Sequence, residues 1–225
     1  MNERIALISL GCPKNQVDAE AMLARLQSAG FAISPEVEGA DLVIVNTCGF
    51  IEEAKREAIE TILSVAELKK EGSVGALLVT GCLAQRYKNE VIDEIPEIDG
   101  IIGIGKNGDI AEICREVLDK REVREFPGKL CLPIEGDRIL STPRHFAYLK
   151  IAEGCSNCCS YCAIPAIRGR FRSRKMENII EEAKSLAAAG VKELAVIAQD
   201  ITRYGTDLYG EFMLAKLLRK LCRIE

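Results

Sequence analysis

The sequence predicts an α/β protein whose first half is a doubly wound parallel sheet. Short runs dominated by aliphatic residues recur along this half, as expected of parallel strands buried on both faces. A helical apolar pattern follows each run, and sequential β-α units of this kind impose right-handed crossovers. The first three runs also each end within a few residues of a cysteine. These observations predict an open sheet that gathers cysteines at one edge.

The first domain is predicted over residues 1–120, with four strands and three helices whose bounds can be given. We expect strands at 4–10, 41–45, 75–80 and 100–104, and helices at 15–29, 51–70 and 109–118. The first helix has apolar residues at Val17, Met22 and Leu26 and stops at Gly30, a usual helix terminator. Residues 121–144 are rich in charge and proline, which predicts a linker between domains.

The second domain is predicted over residues 145–225. An apolar run from 146 to 152 indicates its first strand, and a helix at 177–189, a strand at 193–198 and a helix at 211–221 follow. Gln199 and Asp200 come directly after the strand at 193–198, and residues at the carboxyl ends of barrel strands face the bound ligands. His145, the one histidine, is expected to be a surface or packing residue.

Composition places limits on the chain. Its 225 residues are 48% hydrophobic, which is enough to bury a sizeable core. No apolar run reaches the ~18 residues that a membrane span needs, and the first residues lack a signal-peptide cleavage site. The ten cysteines are therefore expected to be cytoplasmic thiols or metal ligands rather than disulfides.

Charge is unevenly distributed along the chain. The formal net charge is −4, but residues 1–140 carry 16 Lys and Arg against 25 Asp and Glu, whereas residues 141–225 carry 14 against 9. This asymmetry indicates two functional segments. It does not predict a broad nucleic-acid surface.

Cys155, Cys159 and Cys162 have the spacing CxxxCxxC on a loop after the strand at 146–152. Iron–sulfur clusters normally take four cysteine ligands, so three thiolates leave one coordination position open for a substrate. Cys158 lies between them and makes the alternative a closed zinc site or a fully ligated cluster.

A second group of cysteines follows the first three strands in the segments SLGC, VNTC and VTGC. Ligands of open α/β sheets lie beyond the carboxyl ends of strands, so Cys12, Cys48 and Cys82 converge if their strands are neighbours. Neighbouring glycines would let the backbone approach a bulky inorganic cluster. The alternative is that all three are small buried core residues. Cys114, Cys131 and Cys222 have no such setting and are expected to pack.

Basic residues alternate in the segment after the CxxxCxxC loop, at Arg168, Arg170, Arg172 and Arg174. In an extended strand several of them would share one face, and a guanidinium group could grip a carboxylate bidentately. The alternatives are a solvated loop or contact with a phosphate backbone. Arg168 is the first candidate because it is closest to the cysteines.

With both cysteine groups considered, the chain resembles the methylthiotransferases of the radical S-adenosylmethionine class. LGCPKN, VNTCGF and GCLAQRY resemble their N-terminal domain, and EGCSNCCSYCAIPAIRGRFRSR resembles the start of their radical domain. LGCPKN and AQDITRYG resemble the branch that modifies an aspartyl residue of a ribosomal protein rather than an adenosine in tRNA. Ile201 departs from the threonine usual in that branch.

The resemblance implies two 4Fe-4S clusters and S-adenosylmethionine. Cys155, Cys159 and Cys162 would hold the cluster that cleaves S-adenosylmethionine to a radical, which removes hydrogen from the aspartyl β-carbon. Tyr161, Arg168 and Gln199 are the candidate cofactor-binding residues, while Cys158 would be a bystander. A second cluster on Cys12, Cys48 and Cys82 would carry the sulfur. No catalytic side chain is assigned.

The resemblance also implies a radical barrel of at least six β-α units, whereas this chain supplies about two. We therefore expect the first units of an incomplete barrel. The implied partners are a ribosomal protein, an electron donor and a sulfur source, with no membrane, and with nucleic acid only as part of the ribosome. The alternatives are a tRNA methylthiotransferase and a non-catalytic metal-binding module.

Overall fold

The computed structural model describes residues 3–224 and divides into two compact units. Unit 1 is Met1–Pro133 with Asp137–Ile139, and unit 2 is Ile134–Gly136 with Leu140–Glu225. The domain ranges 1–120 and 145–225, with a linker at 121–144, stay a prediction. Their terminal residues 1, 2 and 225 lie outside the described residues.

Unit 1 contains a six-stranded, fully parallel sheet with the order β2-β1-β3-β4-β5-β6. Its strands are β1 Arg4–Ser9, β2 Ala32–Ser34, β3 Leu42–Thr47, β4 Leu77–Gly81, β5 Gly100–Ile102 and β6 Val123–Glu125. Its helices are α1 Pro13–Ser28, α2 Glu52–Lys70, α3 Cys82–Tyr87, α4 Asn89–Glu94 and α5 Ile110–Leu118. A 3-10 helix at Ile104–Asp109 separates β5 from α5.

The alternation of side chains along β3 shows why helices cover both faces of this sheet. Val43 and Val45 pack with Ile62 of α2 in one apolar cluster. Leu42 and Ile44 point the other way and pack with residues of α1 and α5 in a second cluster. Successive strand side chains point to opposite faces, so a continuously aliphatic strand buries both. The predicted α/β fold with a doubly wound sheet is confirmed.

Two short strands of unit 1, β2 and β6, were not predicted, and the helical pattern expected after the third strand, where α3 and α4 lie, was given no bounds. The two strands lie at the two edges of the sheet and have three residues each. β6 falls inside the segment 121–144 that we predicted as a linker, where it pairs in parallel with β5. Such short, partly polar segments carry no periodic signal.

Unit 2 begins with β7 Phe146–Lys150, followed by β8 Ala152–Glu153, α6 Ile164–Arg168, β9 Arg172–Ser173, α7 Met176–Ala188, β10 Glu193–Ile197 and α8 Leu214–Leu221. β10 pairs in parallel with β7, and β8 pairs antiparallel with β9. Leu149, Ile179 and Leu217 are fully buried in the cluster that joins this sheet to α7 and α8. Unit 2 thus has the two parallel β-α units expected of an incomplete barrel.

Over residues 3–224, every helix is too short or too polar to cross a membrane.

Candidate metal centres

The three strands that precede Cys12, Cys48 and Cys82 are immediate neighbours in the order β1-β3-β4. Ser9 pairs with Asn46, and Thr47 pairs with Gly81. Cys48 and Cys82 therefore follow the last paired residues of β3 and β4 directly. The parallel register brings the segments that carry all three cysteines to the same carboxyl edge of the sheet, which is where ligands of open α/β sheets bind.

Close backbone contacts link these three segments. Gly11 has φ +89°, and a Cβ on it would lie 2.4 Å from the Cβ of Cys48 and 2.8 Å from its Sγ. Gly49 also lies close to the start of α3, since a Cβ added to it would lie 2.7 Å from the Cα of Leu83. Each glycine thus makes room for the next segment, because any side chain would push the segments apart.

Buried amide and hydroxyl groups hold the same edge together. The Asn15 side chain donates to the carbonyl of Leu10 at 2.7 Å and to the carbonyl of Asn46 at 3.2 Å, and the Asn46 side chain donates back to the carbonyl of Asn15 at 2.9 Å. Thr47 donates to the carbonyl of Thr80 at 2.5 Å. Asn15, Asn46 and Thr47 are fully buried. These three residues were not among the predicted site residues, although they stand within three residues of Cys12 and Cys48.

Cys12 is the N-cap of α1, and Cys82 is the first residue of α3. Both cysteines therefore lie at the start of a helix, after the strand that precedes it. Over residues 3–224, however, the side chains form no group of three or more His, Cys, Asp or Glu with the arrangement of a metal site. The assignment of both cysteine triads as cluster ligands stays a prediction.

In unit 2 the candidate cluster loop runs from the end of β8 through α6. Gly154 has φ +72°, and a Cβ on it would lie 2.3 Å from the carbonyl oxygen of Arg170. The amide of Cys155 donates to the carbonyl of Gly169 at 3.0 Å, which closes the loop at its base. Cys155 and Cys162 are half-buried, while Cys159 is exposed. The loop therefore has a fixed base and an accessible outer part.

Arg168 is fully buried, and its Nη1 donates to both carboxylate oxygens of Glu153, at 3.1 and 3.0 Å. Lys150 donates to the same carboxylate at 3.0 Å. Burial alone would raise the pKa of Glu153, but the charges of Arg168 and Lys150 outweigh it and hold this pKa below its usual value. The carboxylate that Arg168 contacts thus belongs to the protein itself. A contact of Arg168 with a carboxylate of S-adenosylmethionine or of the substrate stays a prediction.

A hydrogen-bonded group joins the cysteine loop to the segment after β10. Asn157, between Cys155 and Cys159, donates to Asp200 at 3.0 Å and accepts from Arg203 at 2.8 Å. Gln199 is half-buried at the carboxyl end of β10, while Tyr161 is 87% exposed. The predicted cofactor role of Gln199 and Tyr161 stays a prediction.

The hydrogen bonds from Thr202 and Asn157 hold the pKa of Asp200 below its usual range. A carboxylate with a lowered folded pKa contributes stability above its unfolded pKa of about 3.9, and that stability is lost as the pH falls through the folded value. We expect the contact between Asn157 and Asp200 to persist at neutral pH and open only in acid below about pH 4. An NMR titration of the carboxyl carbon checks this, and a midpoint at or above the ordinary value would contradict it.

The alternating arginines were predicted to lie either along one face of an extended strand or in a solvated loop. Arg168 belongs to α6 and only Arg172 lies in β9, so the basic residues do not alternate along one extended face. Arg174 is buried against Glu135 and Glu182, whereas Arg170 is exposed. The single basic face, which was one of these alternatives, is therefore not formed.

Several single residues can be compared with their expected roles. His145 is exposed and contributes its carbonyl group to the amides of two later residues, as expected of a surface position. Cys114 packs in the core, where burial raises its pKa to about 12. The packing expected of Cys131 and Cys222 is wrong, since both are exposed, in a 3-10 turn and just after α8. Cys158 is exposed, has φ +51°, and its Sγ lies 3.6 Å from the carbonyl oxygen of Ser156.

Two family models match this chain. Residues 4–103 match the uncharacterized protein family UPF0004, and residues 149–225 match the radical SAM superfamily. The first region contains Cys12, Cys48 and Cys82, and the second contains Cys155, Cys159 and Cys162.

Curated relatives match over nearly the whole chain. The chain is 54% identical over 99% of its length to the ribosomal protein uS12 methylthiotransferase RimO of Clostridioides difficile (strain 630), and covers 50% of that protein. It is 50% identical over 99% of its length to RimO of Thermoanaerobacter sp. (strain X514) and covers 51% of it. It is 49% identical over 99% of its length to RimO of Geobacter sulfurreducens and covers 50% of that protein. The chain thus spans about half the length of the curated relatives it matches.

A solved structure shows the same fold at low sequence identity. It is the radical S-adenosylmethionine methyltransferase TsrM from Kitasatospora setae, with cobalamin and a [4Fe-4S] cluster bound. The TM-score is 0.64 at 14% identity, and the match covers 98% of this chain and 52% of that one. This is a likeness of fold.

Proposed function

We propose that this chain serves the reaction of the RimO methylthiotransferases, to which it is similar over about half of their length. That reaction adds a methylthio group to the β-carbon of an aspartyl residue of ribosomal protein uS12, by radical S-adenosylmethionine chemistry. The observation that carries the proposal is an identity of about half over nearly the whole chain, across both cysteine triads. An identity at this level is greater than a shared fold alone requires.

The radical SAM region at residues 149–225 supports S-adenosylmethionine and a 4Fe-4S cluster as cofactors. We propose that Cys155, Cys159 and Cys162 hold this cluster and leave one iron open. When bound, the cluster supplies the electron that cleaves S-adenosylmethionine, a task beyond acid and base side chains. The donor set suits it, because thiolates are the ligands that iron–sulfur clusters take. The fixed base of the loop and the exposure of Cys159 suit a cluster that must also admit a ligand.

A second 4Fe-4S cluster on Cys12, Cys48 and Cys82 is the finer part of the proposal. Its support is the adjacency of β1, β3 and β4 and the glycines that let their carboxyl ends touch. The network of Asn15, Asn46 and Thr47 holds these ends in register. Three protein ligands would leave one iron position open to carry the sulfur.

The other residues of the proposed site bind rather than react. Tyr161, on the exposed part of the loop, would lie along the adenine, and Gln199 would face the cofactor from the carboxyl end of β10. Arg168 stays a candidate for a carboxylate of S-adenosylmethionine, although its side chain is already held by Glu153. No side chain of the chain is assigned a proton transfer.

Protein uS12 as the substrate, an electron donor and a sulfur source are the proposed partners, and the cytoplasm is the proposed compartment. The excess of 25 acidic over 16 basic residues in residues 1–140 is complementary to a basic ribosomal protein. A tRNA substrate would call for a larger basic surface than this half offers.

The test incubates the reconstituted, reduced chain with S-adenosylmethionine whose methyl group is deuterated, and offers recombinant uS12 and unmodified tRNA in separate reactions. We expect 5′-deoxyadenosine to form and uS12 alone to gain a deuterated methylthio group at an aspartyl residue, detected by peptide mass spectrometry. Modification of the tRNA instead of uS12 would contradict the proposal that uS12 is the substrate. If the iron-loaded chain forms no 5′-deoxyadenosine, the proposed radical chemistry is contradicted.

A further inference from the structure

Lys150, Glu153 and Arg168 form a group of charged side chains in the interior of unit 2. The exposed fractions of their side chains are 4%, 0% and 1%. Lys150 and Arg168 donate to the Glu153 carboxylate at donor-acceptor distances of 3.0 to 3.1 Å. Burying charged side chains costs free energy that burying apolar side chains of the same size would not cost. A buried charged group is therefore weak evidence of stabilisation, and it calls for a functional explanation.

The carboxylate of Glu153 lies at the point where the cysteine loop begins and ends. Its Oε1 accepts a hydrogen bond from the amide of Gly154 at 3.0 Å, directly before Cys155. Its second contact, Arg168, is the last residue of α6 and precedes Gly169, whose carbonyl accepts from the amide of Cys155 at 3.0 Å. One carboxylate therefore fixes residues on both sides of the segment that contains Cys155, Cys159 and Cys162.

We propose that Glu153 is a positioning residue, whose carboxylate, held by Lys150 and Arg168, sets the spacing of the three cysteines and the electrostatic environment of their cluster. The inference rests on the proposed function, because it assumes that this loop holds a cluster. It gives Arg168 a role besides the cofactor binding proposed above: a link between the end of α6 and the start of the loop.

Two features of the geometry favour positioning over simple stabilisation. A single oxygen pair accepts from an amide, a lysine and an arginine at three different chain positions, so a shorter or neutral side chain cannot satisfy all of them. In addition, a buried charge would act strongly on a nearby redox centre, because the surrounding protein screens it less than water does. Cluster potentials respond to such charges.

The test uses the full chain in the Cys12→Ala/Cys48→Ala/Cys82→Ala background, so that iron on the Cys155 loop is counted alone. Glu153→Gln keeps the shape and removes the charge, and Glu153→Asp keeps the charge and shortens the reach. Glu181→Gln, the same change at an exposed position of α7, is the matched control. Iron per chain, the reduced-cluster EPR spectrum and the midpoint potential are measured, with circular dichroism to follow folding.

We expect at least a two-fold loss of iron in Glu153→Gln, a smaller loss in Glu153→Asp and none in Glu181→Gln. The midpoint potential should move to a more positive value in Glu153→Gln alone, because removing a negative charge favours the reduced cluster. A defect of folding alone would give no such signed shift.

Three outcomes would overturn the inference. One is full iron and an unchanged potential in a folded Glu153→Gln chain. Another is a loss in Glu153→Asp equal to that in Glu153→Gln. If Glu153→Gln does not fold, an iron content of Glu153→Asp equal to that of the background overturns it. A background with native Glu153 that binds no iron instead removes the proposed cluster itself, so failure of the function is distinguishable from failure of the positioning role.

Discussion

Replacing Cys155, Cys159 and Cys162 together by alanine is expected to abolish cleavage of S-adenosylmethionine and to remove about four iron atoms per chain. The reason is that these three thiolates are the proposed ligands of the cluster that supplies the electron. Unit 1 should stay folded, because its sheet and its two apolar clusters are built from its own residues. Formation of 5′-deoxyadenosine and the iron content of the anaerobically reconstituted chain provide the measurement.

Cys158→Ala is the matched control, since this cysteine lies in the same loop. It is exposed, and its Sγ lies 3.6 Å from the carbonyl oxygen of Ser156. We expect its iron content and S-adenosylmethionine cleavage to equal those of the unaltered chain. A loss in Cys158→Ala as large as in Cys159→Ala would favour a closed site with four cysteine ligands and would contradict the open-iron proposal.

Gly81→Ala is expected to destabilise unit 1 by about 3 kcal/mol or more, by combining backbone strain with a steric clash. Gly81 has φ +97°, and a Cβ there would lie 2.4 Å from the carbonyl oxygen of Thr47 and 2.5 Å from its amide nitrogen. Neither atom belongs to a flexible side chain, so β3 and β4 must separate just where Cys48 and Cys82 follow. Hydrogen exchange of the β3 and β4 amides measures the loss.

Gly30→Ala separates the two causes. Gly30 has a similar φ of +93°, but a Cβ on it would have no atom within 4 Å. Gly30→Ala should lower the stability of unit 1 only by the strain of a left-handed residue, about 1 to 2 kcal/mol. We also expect Gly81→Ala, and not Gly30→Ala, to lower the iron bound by Cys12, Cys48 and Cys82. Equal effects of the two substitutions would show that the clash with Thr47 has no consequence.

The sequence was sufficient for the main strands of unit 1 because burial on both faces leaves a visible aliphatic run, as in Leu42–Thr47. It could not reveal β2 or β6, since a three-residue edge strand gains its stability from the partner strand rather than from its own composition. The neighbouring placement of Cys12, Cys48 and Cys82 followed from a rule about sheet edges, but the strand order came only from the structure.

Arg168 shows where sequence reasoning about the site reached its limit. The guanidinium group was predicted to bind a carboxylate of S-adenosylmethionine or of the substrate. It does bind a carboxylate, but that carboxylate belongs to Glu153 of the same chain. Fifteen residues separate the two, and only the pairing of β8 with β9 and the closure of the loop on Gly169 bring them together. Asn15 and Asn46 were missed for the same reason, because their partners are carbonyl groups on other segments.

Each cysteine triad is proposed to hold its own four-iron cluster. The most direct test measures iron, acid-labile sulfide and zinc per chain after anaerobic reconstitution, in the unaltered chain and in Cys12→Ala/Cys48→Ala/Cys82→Ala. We predict about eight iron atoms in the first and about four in the second, with sulfide in equal amounts. About four or fewer in both would contradict the second cluster, and zinc without iron would contradict both and indicate a structural metal site.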